Sequence, residues 1–147
     1  MPYTIITLPE PETITVQGIN GPEQRQRPVP TERPAECETL IYTEGRTELW
    51  SVRTGGMTDA TIFAALPGIR TWQKRVQQAT AKEVIERKWP LWAQNNCALG
   101  IYGDAAAKQC RADIAAVINA CNTAEDAIDA ATTISGMLST TTIWPEV

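Results

Sequence analysis

The chain contains no histidine, so the commonest general base near neutral pH and the commonest metal ligand are both missing. Catalysis would fall to carboxylates, lysine, cysteine or tyrosine. Glu83 and Glu86 stand three apart, which puts both carboxylates on one helix face as an acid–base pair or as oxygen ligands. Their neighbours Lys82, Arg87 and Lys88 give the plainer reading of a charge-balanced, solvated face. Asp113, Asp126 and Asp129 read similarly, as helix surface or as charges near a helix N-terminus.

The four cysteines, Cys37, Cys97, Cys110 and Cys121, form no C-x-x-C pair. Without histidine beside them a structural zinc site is not expected. A nucleophilic thiol needs a base or a positive field. Arg111 adjoins Cys110, but adjacent helix positions do not face each other, so Cys110 and Cys121 read as reduced core residues. Three helical turns set those two roughly 16 Å apart, too far for a disulfide. Cys97, beside Asn95 and Asn96, lies near a helix end and could meet either across a helical hairpin. Gly55-Gly56-Met57-Thr58 lacks the lysine and spacing of a phosphate-binding loop, and Gly100-Ile101-Tyr102-Gly103 reads as a reversal. No cofactor and no metal is expected, and the chain reads as a non-enzyme.

Arg70, Trp72, Lys74 and Arg75 combine base-stacking and phosphate-binding types. The formal net charge of −4 supplies no basic stripe, however, so nucleic acid is not an expected partner. Trp72 reads as a core residue on a stripe with Val76, Ala79 and Thr80. The cluster Trp89-Pro90-Leu91-Trp92, together with Trp144, offers aromatic groups of the kind that anchor protein–protein contacts.

These residues need elements to position them. At 147 residues the chain supports one compact domain with an arm. Seven of the ten prolines lie within the first 37 residues, where large apolar side chains are few. Residues 1–37 are expected to be an extended arm. Within it, 4–8 and 13–16 are β-prone runs that either pair with each other or add to the sheet of a neighbouring chain. Residues 18–36 read as an extended, partly polyproline-II connector. Ordering such a segment costs about 1–2 kcal/mol per residue for the backbone alone, and 21–34 bury too little to offset it. A neighbouring subunit is therefore the expected source of its rigidity. The expected partner contacts are Ile5, Ile6, Leu8, Ile14 and Val16 through strand addition, Val29 through extended packing, and Trp89, Trp92 and Trp144 as aromatic anchors.

A core is expected over 38–131. A β-hairpin spans 38–54 around Glu44-Gly45, with Thr43 opposite Arg46 and Leu40 opposite Leu49. Helices fill 58–122, broken at Pro67-Gly68, near Pro90 and at Gly100–Gly103. The last of them carries a stripe of Ala107, Cys110, Ile114, Val117 and Cys121. Asn122 or Thr123 then caps a separate short helix over 123–131, and 132–147 form a tail anchored by Trp144. The first residues have neither the charged start nor the long apolar run of a secretory signal. No segment has the apolar length of a membrane span, and no membrane partner is expected.

The run from Cys121 to Ala131 resembles the short amphipathic segments near the C-termini of some bacteriophage tail-fibre and tail accessory proteins, where an Ala-rich capped helix follows a longer one. The resemblance covers about 25 residues and carries over no functional residue. It implies a virion component. The whole reading is an α+β subunit with an extended N-terminal arm, one β-hairpin and a small antiparallel helical hairpin or bundle. Its expected partners are other subunits of a large protein assembly, with homo-oligomerisation. Its expected role is a structural or connector part of a viral particle such as a phage tail, baseplate or fibre attachment. The alternative is a small adaptor or assembly chaperone that binds a protein through its helices.

Overall fold

The computed structural model describes residues 1–146. The chain is α+β, with five strands in two antiparallel sheets and five helices among the described residues. It divides into two compact units, Met1–Pro67 and a second from Gly68 onward.

The first unit contains β1 (Tyr3–Thr7), β2 (Glu12–Gly18), β3 (Gly21–Arg27), β4 (Cys37–Glu44), β5 (Thr47–Val52) and α1 (Asp59–Ala65). β5 lies between β1 and β4 in a three-stranded sheet, while β2 and β3 form a separate two-stranded ribbon. As the central strand, β5 has Glu48, Leu49, Ser51 and Val52 all buried. The β4–β5 turn uses Gly45-Arg46, with Glu44 opposite Thr47 and Gly45 at φ 58°. Glycine stands at the first central position, where a tight hairpin calls for positive φ. The turn is therefore displaced by one residue and the pairing next to it by two, with Thr43 opposite Glu48 and not Arg46. Irregularities between Cys37 and Thr39 and between Leu40 and Tyr42 then set Tyr42 opposite Leu49 and Leu40 opposite Trp50. α1 begins at Thr58, whose hydroxyl accepts from the Thr61 amide at 3.3 Å.

The expected arm over 1–37 is corrected. Residues 3–7 form an edge strand on β5, with Tyr3 opposite Ser51 and Ile5 opposite Leu49. Residues 12–27 fold back on themselves, closing at Gly18 opposite Gly21. Of the expected connector, only the turn at 19–20 and the stretch 28–36 lie outside strand and helix. The β-prone runs at 4–8 and 13–16 pair neither with each other nor as spare strands. Each finds a separate partner inside its own chain, one distant in sequence and one immediately following. Gly56 helps seat β1, because a Cβ there would lie 2.5 Å from Pro2 Cβ and 2.7 Å from the Tyr3 nitrogen. The close approach lets the Met57 amide donate to the Tyr3 carbonyl at 2.7 Å.

The second unit contains α2 (Ile69–Lys88), α3 (Leu91–Ala98), α4 (Gly103–Ala130) and α5 (Ile134–Leu138). α2 and α4 are antiparallel: Arg70 at the start of α2 donates to carbonyls at the end of α4, while Trp89 beyond the end of α2 reaches Asp113. The Pro90 break and the glycine reversal stand where expected. The helix boundary expected at Asn122-Thr123 does not exist, and α4 runs on to Ala130. The Thr123 hydroxyl bonds back to the Asn119 carbonyl at 3.0 Å rather than capping a new helix, and Ala124 and Ile128 continue the buried stripe. The expected tail over 132–147 also holds structure. Thr133 caps α5 by accepting from the Gly136 amide at 3.0 Å, and Ile134 and Met137 are fully buried.

Candidate functional site

The expected contact residues lie in β1, β2 and α3 and in the segments beside named elements. β2 carries Ile14 and Val16 on one face, half-buried, with Arg25 and Glu23 directly across on β3. The opposite face is Thr13, Thr15 and Gln17 against Gln26, Gln24 and Pro22, all exposed. Arg27 pairs with Glu12 at 2.7 Å, and Gln26 donates to the Thr13 hydroxyl at 2.9 Å. Among the described residues β2 and β3 make their extensive contacts only with each other. At the tip Ile19 is fully exposed. A two-stranded ribbon is marginal by itself in water.

The remaining N-terminal candidates are engaged internally. Ile5 and Ile6 sit in β1 opposite Leu49 and Glu48, and the Leu8 amide donates to the Arg46 carbonyl at 2.7 Å. β1 therefore already has a partner strand in its own chain, while lying at the edge of its sheet. Val29 is half-buried, and its carbonyl accepts from the Thr31 hydroxyl at 3.3 Å. The connector 28–36 is tied down by a side chain the sequence reading passed over. Arg33 grips the buried Glu48 with two bonds, of 3.0 and 2.9 Å, and lies 5.1 Å from the Trp50 ring centre. The Trp50 indole donates to the same carboxylate at 2.7 Å. The bond from Arg33, helped by that from Trp50, holds the Glu48 carboxyl below its ordinary range against the opposing effect of burial. The connector thus has an anchor within its own unit.

In the second unit Trp89 and Trp144 serve its own packing. Trp144 lies against Ala81, Val117 and Cys121, and Trp89 against Cys97, Ala107 and Cys110. Trp92 on α3 is exposed. Asp113, read as surface, is in fact buried. It accepts from the Trp89 indole at 2.8 Å, from Lys88 at 2.9 Å and from Gln109 at 2.7 Å. The Trp89 and Lys88 bonds hold its carboxyl below the usual value. Its position three after Cys110 on the apolar stripe was the available signal.

The expected α2 stripe is also displaced. Ile69, Gln73, Gln77 and Ala81 are buried, whereas Val76 is exposed and Trp72 half-buried. Gln77 accepts from the Thr142 hydroxyl at 2.8 Å, so a polar partner from the tail permits a glutamine where an apolar residue was expected. Arg70 caps the last carbonyls of α4, and Lys74 pairs with Asp129. Those two cations are thereby committed to the helix terminus.

Glu83 and Glu86 are exposed, with Glu86 3.8 Å from Lys82. No group of three or more cysteine, aspartate or glutamate side chains suited to a metal ion occurs among the described residues. No helix among them is long and apolar enough to cross a membrane. All four cysteines are free. Burial pushes the Cys110, Cys121 and Cys37 thiols up, and a hydrogen bond with Cys97 adds to the effect at Cys110. Alkylation of the native chain should therefore label half-buried Cys37 first. Cys97, Cys110 and Cys121 should react roughly tenfold or more slowly, through local opening, as peptide mass mapping over time would record. Rapid labelling of Cys110 would restore a nucleophile.

A cleft of about 460 Å³ lies between α2, α3 and α4. Its lining includes the apolar Ala81, Ile85, Leu91 and Ile118 and the charged Lys82 and Glu125. No family model, curated protein or solved structure matches the chain.

Proposed function

We propose that the chain is a non-enzymatic structural or connector subunit of a larger protein assembly, acting by protein–protein contact. The observation that carries this reading is the β2–β3 ribbon, whose strands make extensive contact with no other strand or helix and which exposes Ile19 at its tip. A viral particle, such as a phage tail, baseplate or fibre attachment, is the assembly to test first. The resemblance behind that choice loses part of its basis, since residues 121–130 continue α4 and are no separate capped helix.

The test is the copy number of the chain in a purified native particle, together with a variant in which 12–27 are replaced by a short Gly-Ser link. The three-stranded sheet does not use those residues, so the variant should fold yet fail to enter the particle. Normal incorporation, or the lack of any fixed copy number, overturns the reading. Deleting all of 2–36 would be a poorer test, because it also removes β1 and Arg33.

The cleft between α2, α3 and α4 favours the alternative of an adaptor or assembly chaperone. Leu91 is 66% exposed and Ile118 47% exposed along it, as in helical grooves that receive a partner helix. Such a protein would bind one partner at fixed ratio but leave the finished particle.

A further inference from the structure

We propose that the chain pairs with a second copy of itself along the outer edge of β2, forming a four-stranded antiparallel sheet in the order β3-β2-β2-β3. The proposal builds on the reading as an assembly subunit and names the partner of the ribbon. The two sheets of the first unit present four strand edges, and three are guarded. β4 is broken by two irregularities of register. β1 is covered at Tyr3 by Met57 and followed at once by Pro9 and Pro11. β3 has Pro22 within it and Pro28 directly after it. Bulges, cover and prolines are the ordinary means of blocking an edge.

The hydrogen-bond alternation decides what the open edge offers. A two-residue turn closes on a mutually bonded pair, here Gly18 and Gly21. The pairs Val16–Glu23, Ile14–Arg25 and Glu12–Arg27 then bond inward as well. Gln17–Pro22 is a non-bonded pair, consistent with proline having no N–H to give. The N–H and C=O groups of Thr13, Thr15 and Gln17 accordingly point away from β3, and the corresponding groups on β3 belong to Pro22, Gln24 and Gln26. Thr13, Thr15 and Gln17 are all exposed.

A two-fold pairing centred on Thr15 uses all seven residues of β2. It sets Thr15 against its own copy, Thr13 against Gln17, Ile14 against Val16 and Glu12 against Gly18. Every outward-pointing group on β2 then meets an outward-pointing group. No like charges stand opposite each other across the new seam. The rows across the sheet read Arg25-Ile14-Val16-Glu23 and the reverse, so each apolar pair is flanked by opposite charges. The other face is threonine and glutamine without charge. This self-complementarity selects a second copy over a foreign strand. The contact is small, so it forms at high protein concentration and gains from the local concentration inside an assembly.

Sedimentation of the full chain at a concentration on the order of 0.1 mM should show a dimer in exchange with monomer. Thr15→Pro should weaken association at least about tenfold, since it removes a seam donor. Gln24→Pro, at the facing position on β3, removes a donor the seam does not use and should change association less than about twofold. Neither amide serves the ribbon internally, so the two substitutions burden its folding alike. As a second measure in a Cys37→Ser background, Thr15→Cys should give a disulfide-linked dimer with oxidised glutathione, which accepts the two electrons as the two thiols lose their protons. Gln24→Cys should not. A chain that stays monomeric, two proline variants that behave alike, or equal cross-linking from both positions would overturn the proposal. These measurements use the isolated chain, so their failure is separable from a failure of particle incorporation.

Discussion

Asp113→Ala should cost the second unit about 2–4 kcal/mol, because three donors converge on one buried carboxylate. Trp89 would lose the acceptor for its indole N–H at the junction of α2 and α3, and Gln109 and Lys88 would lose theirs. Urea unfolding followed by tryptophan fluorescence measures the effect. Asp113→Asn should lose less, about 1–2 kcal/mol, since one carbonyl oxygen remains to accept. Lys88→Gln should cost under about 1 kcal/mol, because the lysine end is partly solvated. The ordering Ala above Asn above the lysine change identifies the indole bond as the main contribution; equal losses would contradict it. The carboxyl is held below its ordinary 3.8. Its stabilisation is therefore present above about that pH and lost as pH falls through the lower folded value. The gap between wild type and Asp113→Asn should close in that acid range.

Glu48→Gln is expected to cost the first unit about 2–3 kcal/mol and to free the connector over 28–36. The neutral amide keeps the size of the side chain but removes the charge that Arg33 grips with two bonds. Its NH₂ group also competes with the Trp50 indole for the remaining acceptor. Amide hydrogen exchange should quicken in 29–37 and at the β4 end that follows, more than in β2 and β3. Uniform exchange across the unit would show that Glu48 supports the sheet generally and does not hold the connector. The folded carboxyl lies below its ordinary 4.5. Its contribution is complete above that value and fades as pH drops through the folded one. Wild type and Glu48→Gln should therefore differ by a constant amount from about pH 5.5 to 8 and converge in acid.

The two nodes share one arrangement in unrelated surroundings. In each, a buried carboxylate receives an indole N–H and a cation that also approaches that indole, Arg33 near Trp50 at 5.1 Å and Lys88 near Trp89 at 5.7 Å. Cation, ring and carboxylate stabilise each other pairwise, which lets two acidic side chains occupy otherwise unfavourable positions.

Local signals were the legible ones. Pro90 as a break, the glycine reversal and the Ala107–Cys121 stripe follow from residue type and spacing, and each stands in the structure. Non-local pairings were hidden. Nothing near Thr4–Thr7 announces Thr47–Trp50 as its partner, and nothing near Arg33 announces Glu48. A proline-rich leader therefore read as unable to fix its own shape. Buried polar residues misled in the same way: Gln77 and Asp113 lie inside with partners beyond their own helices, Thr142 for one and Trp89 and Lys88 for the other, which periodicity does not register. The continuation of α4 past Asn122 was obscured because threonine and asparagine suit both a cap and a helix surface. Of the expected contact residues, Ile14, Val16 and Trp92 remain available to a partner, while Trp89, Trp144 and the β1 side chains have work within the fold.

The prolines at 22 and 28 bear on how far any sheet built on this ribbon can grow. Once a strand is seated along β2, the new outer border on the ribbon's side is β3, whose amide row is interrupted at both ends. Two copies joined back to back would present that interrupted border on either flank. Polymerisation into a fibril would stall at a closed pair, so a ribbon open to pairing on one side carries no route to runaway aggregation.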